Sequence, residues 1–176
     1  MTVVQSVVVE PDDGSLGALL RVADDRLAPG ESYGPHDHRA VDVVAVVLSG
    51  SLTHDWGSGA ALRAGDVGVL RAGGGLRHDE RAGPDGARVL QCYLRAADPD
   101  APASHEVVQG AAGDVDLRRA DARLWVGRGT AVAPPGLVLE VDRDGIRVGR
   151  RAAEARVTGD VTVVWQLDAA RPAWAD

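Results

Sequence analysis

The feature that most constrains this chain is a succession of short apolar, β-branched runs separated by glycine-rich turns, with no convincing helical period. Residues 3–10 and 17–23 open the series. Residues 41–48 are almost continuous Val and Leu, the pattern of a strand buried on both faces or curling into a barrel. Runs at 51–56, 67–70, 76–81 and 87–94 follow, with turn signals at Pro29-Gly30, 57–59, 64–66, 73–75 and 83–86. This spacing predicts an all-β fold, a sandwich or a barrel. The best helical candidate is 114–124, and its period is weak.

Residues 96–104 (AADPDAPAS) shift in composition and read as a connection. Strand-like runs resume at 123–126, 137–141, 146–148 and 161–167. The expected organisation is a barrel over 1–105 and a second β part over 106–176, too small for a complete barrel of its own. That part is expected to need cover from the first barrel or from a second subunit, the latter as a homodimer.

Charge and composition exclude some functions. The formal net charge is −7, all basic side chains are Arg, and Lys, Asn and Phe are absent. This bias is that of a GC-rich bacterial genome. A net acidic surface without a basic stripe disfavours direct nucleic-acid binding. No apolar run reaches membrane-spanning length and no signal-peptide pattern opens the sequence, so a soluble, cytoplasmic protein is expected. The single Cys92 cannot form an internal disulfide.

The chemistry is concentrated in two pairs, His36-x-His38 and His78-x-Glu80. In a strand, residues i and i+2 face the same side, so each pair offers two ligands to one face of a sheet. Three imidazoles and a carboxylate form a mixed N/O set that suits Fe(II), and also Mn, Ni, Cu or Zn. Around a six-coordinate ion such a set leaves two positions for water, O₂ or a bidentate substrate.

The residues around these pairs resemble the pirin-like cupins, closest to the bacterial branch that includes quercetin 2,3-dioxygenases. The stretch 28–39 (APGESYGPHDHR), then Asp42 and 46–54 (VVLSGSLTH), is similar to that family's first metal-binding segment. The stretch 63–80 (RAGDVGVLRAGGGLRHDE) is similar to the second, and 89–94 (VLQCYL) to a flanking strand. The resemblance implies a cupin (jelly-roll-like) barrel with one divalent metal, iron first and Ni, Mn, Cu, Co or Zn as alternatives. Its ligands would be His36, His38, His78 and Glu80. It implies oxygen-dependent cleavage of a flavonol such as quercetin, with the small aromatic substrate and O₂ as partners and Glu80 as both ligand and catalytic base. The rival expectation is the non-catalytic, redox-sensitive regulator proposed for other pirins, which binds a protein partner.

The chain departs from the pattern in three places. Asp42 stands where the family usually has Glu. The loop after His54 differs. The C-terminal part is a shortened second domain with neither an H-x-H nor an H-x-E pair, where no metal is expected. Other residues are read as follows. His54 either orients a ligand or faces solvent. His105 is a surface residue of the connection, and Cys92 is a buried small hydrophobe. Asp79 and Arg77 alternate away from the ligands, and Trp56 borders a pocket. The glycines at 73–75 lack the Lys-Ser/Thr and the helix that a phosphate loop requires.

Overall fold

The computed structural model describes residues 3–11, 14–56 and 59–168; the turn expected at 57–59 lies largely outside them. Among the described residues the fold is all-β, as the pattern predicts, and contains no helix. No helix is therefore long and apolar enough to cross a membrane. The chain divides into two compact units: residues 1–12 with 20–110, and residues 13–19 with 111–176.

The first unit carries eight strands: β1 (Val4–Val9), β2 (Leu19–Leu27), β3 (His36–His38), β4 (Val41–Asp55), β5 (Ala60–Arg63), β6 (Val67–Arg71), β7 (Leu76–Arg95) and β8 (Ser104–Val108). They form one sheet in the order β1-β2-β7-β4-β6-β8, with β3 on β7 and β5 on β4. The apolar run of β4 is buried from Asp42 through Val47, as expected for a strand covered on both faces. Beyond Gly50 the same strand alternates, with Leu52 and His54 buried and Thr53 and Asp55 exposed.

Two pairs of expected strands are single long strands. Runs 41–48 and 51–56 join as β4, and 76–81 and 87–94 join as β7. The reason is a shared bend. Gly50 has φ +70°, and a Cβ there would lie 2.0 Å from the Gly86 carbonyl oxygen, so both strands fold sharply at glycines. Register shifts between Val47 and Ser49 and between Gly50 and Leu52 mark the irregularity. Leu27, Leu52, Ala82 and Val89 pack together on the inside of this bend, with Tyr33 against them.

The second unit has a five-stranded sheet in the order β13-β12-β15-β10-β9 and a two-stranded ribbon of β11 and β14. Its strands are β9 (Gly113–Val115), β10 (Ala122–Arg128), β11 (Ala131–Ala133), β12 (Gly136–Val141), β13 (Ile146–Arg151), β14 (Ala155–Val157) and β15 (Val161–Leu167). The helical candidate at 114–124 is corrected to a strand, a turn and the start of another strand. Arg118 takes φ +54°, and Arg119 forks onto Asp121 at 2.7 and 3.0 Å, so the segment turns instead of winding.

Candidate metal centre

The short strand β3 pairs antiparallel with β7, and the register sets His36 opposite His78 and His38 opposite Leu76. Strand alternation then does what the i, i+2 spacing predicts. His78 and Glu80 are each 3% exposed, while Arg77 points outward and pairs with exposed Asp37 at 2.9 Å. Asp79 also alternates away from the ligands and lies 3.7 Å from Arg81. The rings of His36 and His78 are 4.3 Å apart, and those of His38 and His78 are 4.9 Å apart.

The hydrogen bonds fix how these rings present themselves. The carbonyl of Gly34 can only accept, so His36 Nδ1, 2.7 Å away, donates to it. A neutral His36 ring therefore has a bare Nε2, which points at His38 Nε2 across 3.1 Å. A ligand histidine is commonly held by its other ring nitrogen in this way. His78 is more telling. Neither of its ring nitrogens finds a hydrogen-bond partner, although both are buried. A buried polar atom left unpaired costs about 1–3 kcal/mol, and a metal ion held among the converging imidazoles would partner one of the two. The donor set therefore fits a divalent cation of the N/O-liganded kind.

Two overlapping triads have all their ligand atoms within 4.8 Å of one another: His36, His38 and His78, and His54, His78 and Glu80. The first group holds three of the sequence-predicted residues, and Glu80 falls in the second with His54, with His78 common to both. Glu80 is turned toward two further donors. His54 Nε2 lies 2.5 Å from its Oε1, and the Gln91 amide donates to its Oε2 at 2.7 Å. His54 sits directly across the ladder from Glu80. Gln91 belongs to the same strand, and straight β geometry would separate the two by about 36 Å. The bend at Gly50 and Gly86 folds that distance away.

Electrostatics follow from burial and crowding. Burial pushes the His78 imidazolium down to about 3, with the neighbouring His54, His36 and His38 lowering it further and Glu80 only partly opposing. His38 is lowered by burial and then by His36. Burial alone would raise Glu80, but the hydrogen bond and charge of His54, together with the other imidazoles, outweigh it and hold the carboxyl below its usual range. Burial thus favours neutral His38 and His78, and the cluster favours an ionised Glu80, the forms that ligate metals. Burial also raises Tyr93, to about 12, and Tyr33, which donates to buried Asp25 at 2.9 Å.

Sequence reasoning left His54 open between two roles and missed Gln91 and His105. His54 is buried beside Glu80 rather than solvent-facing. The alternation of Leu52 and His54 against Thr53 and Asp55 was the signal. The reading of His105 as a surface residue of the connection is corrected. It lies in β8 opposite Leu70 of β6, and its ring stacks on His54 with centroids 4.4 Å apart and planes within 11°. Burial lowers its pKa to about 4. Gly68 makes room, since a Cβ there would come within 3.3 Å of His105 Nε2. Cys92 is fully buried, as expected.

An antiparallel β domain that gathers an H-x-H pair and an H-x-E pair on the inside of a bent sheet is a cupin. Residues 8–94, just under half of the chain, match the Pirin family model, so this stretch is a pirin domain. It is similar to a pirin-like protein of Caulobacter vibrioides, 34% identical over 88 residues, which cover 48% of this chain and 38% of that one. It is also similar to the quercetin 2,3-dioxygenase of Escherichia coli K12, 30% identical over 73 residues, covering 40% of this chain and 32% of the relative. The matched region thus spans only about a third of the length of these relatives. Among solved structures, the bacterial pirin YhhW of E. coli in complex with nickel(II) matches with TM-score 0.71 at 17% identity, covering 94% of this chain and 92% of that one. GK1651 of Geobacillus kaustophilus matches with TM-score 0.67 at 17% identity, covering 95% and 90%. At such identities the likeness is one of fold.

Proposed function

We propose that this chain binds one divalent metal ion, iron first among the candidates, through His36, His38, His78 and Glu80. We further propose that it acts as an oxygen-dependent dioxygenase on a flavonol such as quercetin or a similar aromatic substrate. The observation that carries the metal reading is the buried His78 ring, unpartnered at both nitrogens and set among two other imidazoles. The substrate class is supported by the likeness to the E. coli quercetin 2,3-dioxygenase. A bound divalent ion would supply Lewis acidity to a ligated substrate hydroxyl and a site for O₂ beside it. The chain supplies the rest. His36 and His38 are only half buried and line the accessible side, where substrate enters. Glu80 is the one carboxylate in the cluster and takes the substrate proton.

The test is elemental analysis of protein purified without chelator or His-tag, followed by quercetin turnover in air with iron, nickel, manganese, copper and cobalt. Bound metal near one per chain and flavonol loss above the free-metal control are expected. Metal content left intact by the double change His36→Ala, His78→Ala would overturn the site. Metal binding without turnover by any of these ions would favour the second reading, a metal-binding regulator that contacts a protein partner. One observation favours that reading: Glu80 is held below its usual pKa with both oxygens already hydrogen-bonded, which makes it a poor base.

A further inference from the structure

We infer that His54 and Gln91 are positioning residues for the metal centre: each grips one oxygen of Glu80, and together they set the orientation in which its carboxylate joins the three imidazoles. The inference rests on the site reading above. Neither residue belongs to the two ligand pairs that the sequence displays.

Glu80 has rotatable bonds that its immediate strand neighbours do not fix. Its two oxygens are held from two directions. His54 reaches from β4, directly opposite in the ladder, and Gln91 from the far side of the β7 bend. Both donors are themselves buried, at 3% and 1% exposure, so water does not compete for the carboxylate through them. Gln91 stands in an otherwise apolar run, between Leu90 and Cys92, and its Oε1 is buried without a partner. An unpaired buried amide oxygen costs about 1–3 kcal/mol, and an apolar side chain would suit the position better if packing were its only task. The bond to Glu80, beside an interaction with the Tyr33 hydroxyl, accounts for the amide.

His54 is held in turn. The ring of His105 lies nearly parallel on it, and the His78 ring is 4.5 Å away on another side. A carboxylate oxygen only accepts, so His54 Nε2 carries the proton it donates to Glu80. Outer residues that orient a ligand in this way typically contribute about 10–100-fold to metal affinity.

Nickel(II) titration of the full metal-free chain tests this. Gln91→Met and His54→Leu should each weaken nickel binding about 10–100-fold. His54→Gln, which keeps an N–H donor, should recover most of the loss. In a Glu80→Ala background, Gln91→Met should change affinity less than about twofold, because it acts only through the missing carboxylate. Nickel d–d absorption should shift in Gln91→Met and stay unchanged between Glu80→Ala and the double variant. If His54→Leu does not fold, Gln91→Met carries the test, since the swap nearly conserves volume. Equal losses in the wild-type and Glu80→Ala backgrounds would overturn the inference, as they would make the effect structural or make His54 a ligand itself. Unchanged affinity in Gln91→Met and His54→Leu, while His36→Ala loses nickel, would overturn it and leave the site reading standing. A His36→Ala variant with wild-type affinity would overturn the site reading and this inference with it.

Discussion

Replacing His78 by Leu should make the metal-free protein more stable while abolishing its response to metal. His78 is 3% exposed, and neither ring nitrogen has a hydrogen-bond partner. A neutral imidazole carries one N–H and one lone pair, and each unpaired buried group costs about 1–3 kcal/mol. Leu removes both and fills a similar volume. Against this stand the ring contacts with His36, His54 and His38 at 4.3, 4.5 and 4.9 Å. Aromatic pairs contribute about 0.5–1.5 kcal/mol beyond their buried area, and part of that is regained by the apolar side chain. The net gain is about 1–3 kcal/mol without metal. For a unit of this size each kcal/mol raises the melting temperature by about 4–8 °C. Differential scanning calorimetry in EDTA would read it directly. Nickel at a hundred times its Kd adds about 2.7 kcal/mol to a protein that binds it, so wild type should melt higher with nickel and His78→Leu should not move. A variant that melts below wild type in EDTA, or that still shifts with nickel, would refute the reasoning that His78 is a ligand held in readiness at the expense of stability.

The remaining predictions concern pH, a buried ion pair and a surface control. His78, His105 and His38 all have folded pKa values below the ordinary 6.5. Between about pH 6.5 and 4 the unfolded chain therefore binds protons that the folded chain does not, so metal-free stability should fall as pH drops through that window. Glu80, depressed, adds stability that is present above its ordinary value of 4.5 and lost below it, whereas Asp25, raised by burial, opposes the trend. Urea unfolding at about pH 7, 5.5 and 4.5 would show it, and a flat profile would contradict the burial of these rings. Asp24→Ala should destabilise by about 3 kcal/mol or more, because Asp24 holds the buried Arg88 guanidinium with two bonds of 2.8 Å. Arg77→Ala breaks the exposed pair with Asp37 and a long 3.5 Å bond to the Pro35 carbonyl, and should change stability by less than about 0.5 kcal/mol and nickel affinity not at all. A large effect on either would mean that Arg77 does not face solvent.

By itself the sequence determined the strand-and-turn character of the chain and displayed the two candidate pairs, His36-x-His38 and His78-x-Glu80. Both are local: a β-branched run declares a strand, and i, i+2 spacing declares a shared face whatever the strand later pairs with. That is why His36, His38, His78 and Glu80 are legible in the sequence alone. Only the tertiary structure decided what surrounds them. His54 meets Glu80 across 26 residues because the register of β4 on β7 sets them opposite, and that register depends on two shifts beside Gly50 that no local pattern displays. Gln91 meets Glu80 because β7 folds back at a glycine that the sequence presents as a turn between two strands. His105 reaches the cluster because β8 adds to the edge of β6, where its sequence reads only as the end of a connection. Ligand types and spacing are written along the chain, but the contacts that orient them arise only when distant strands fix their register.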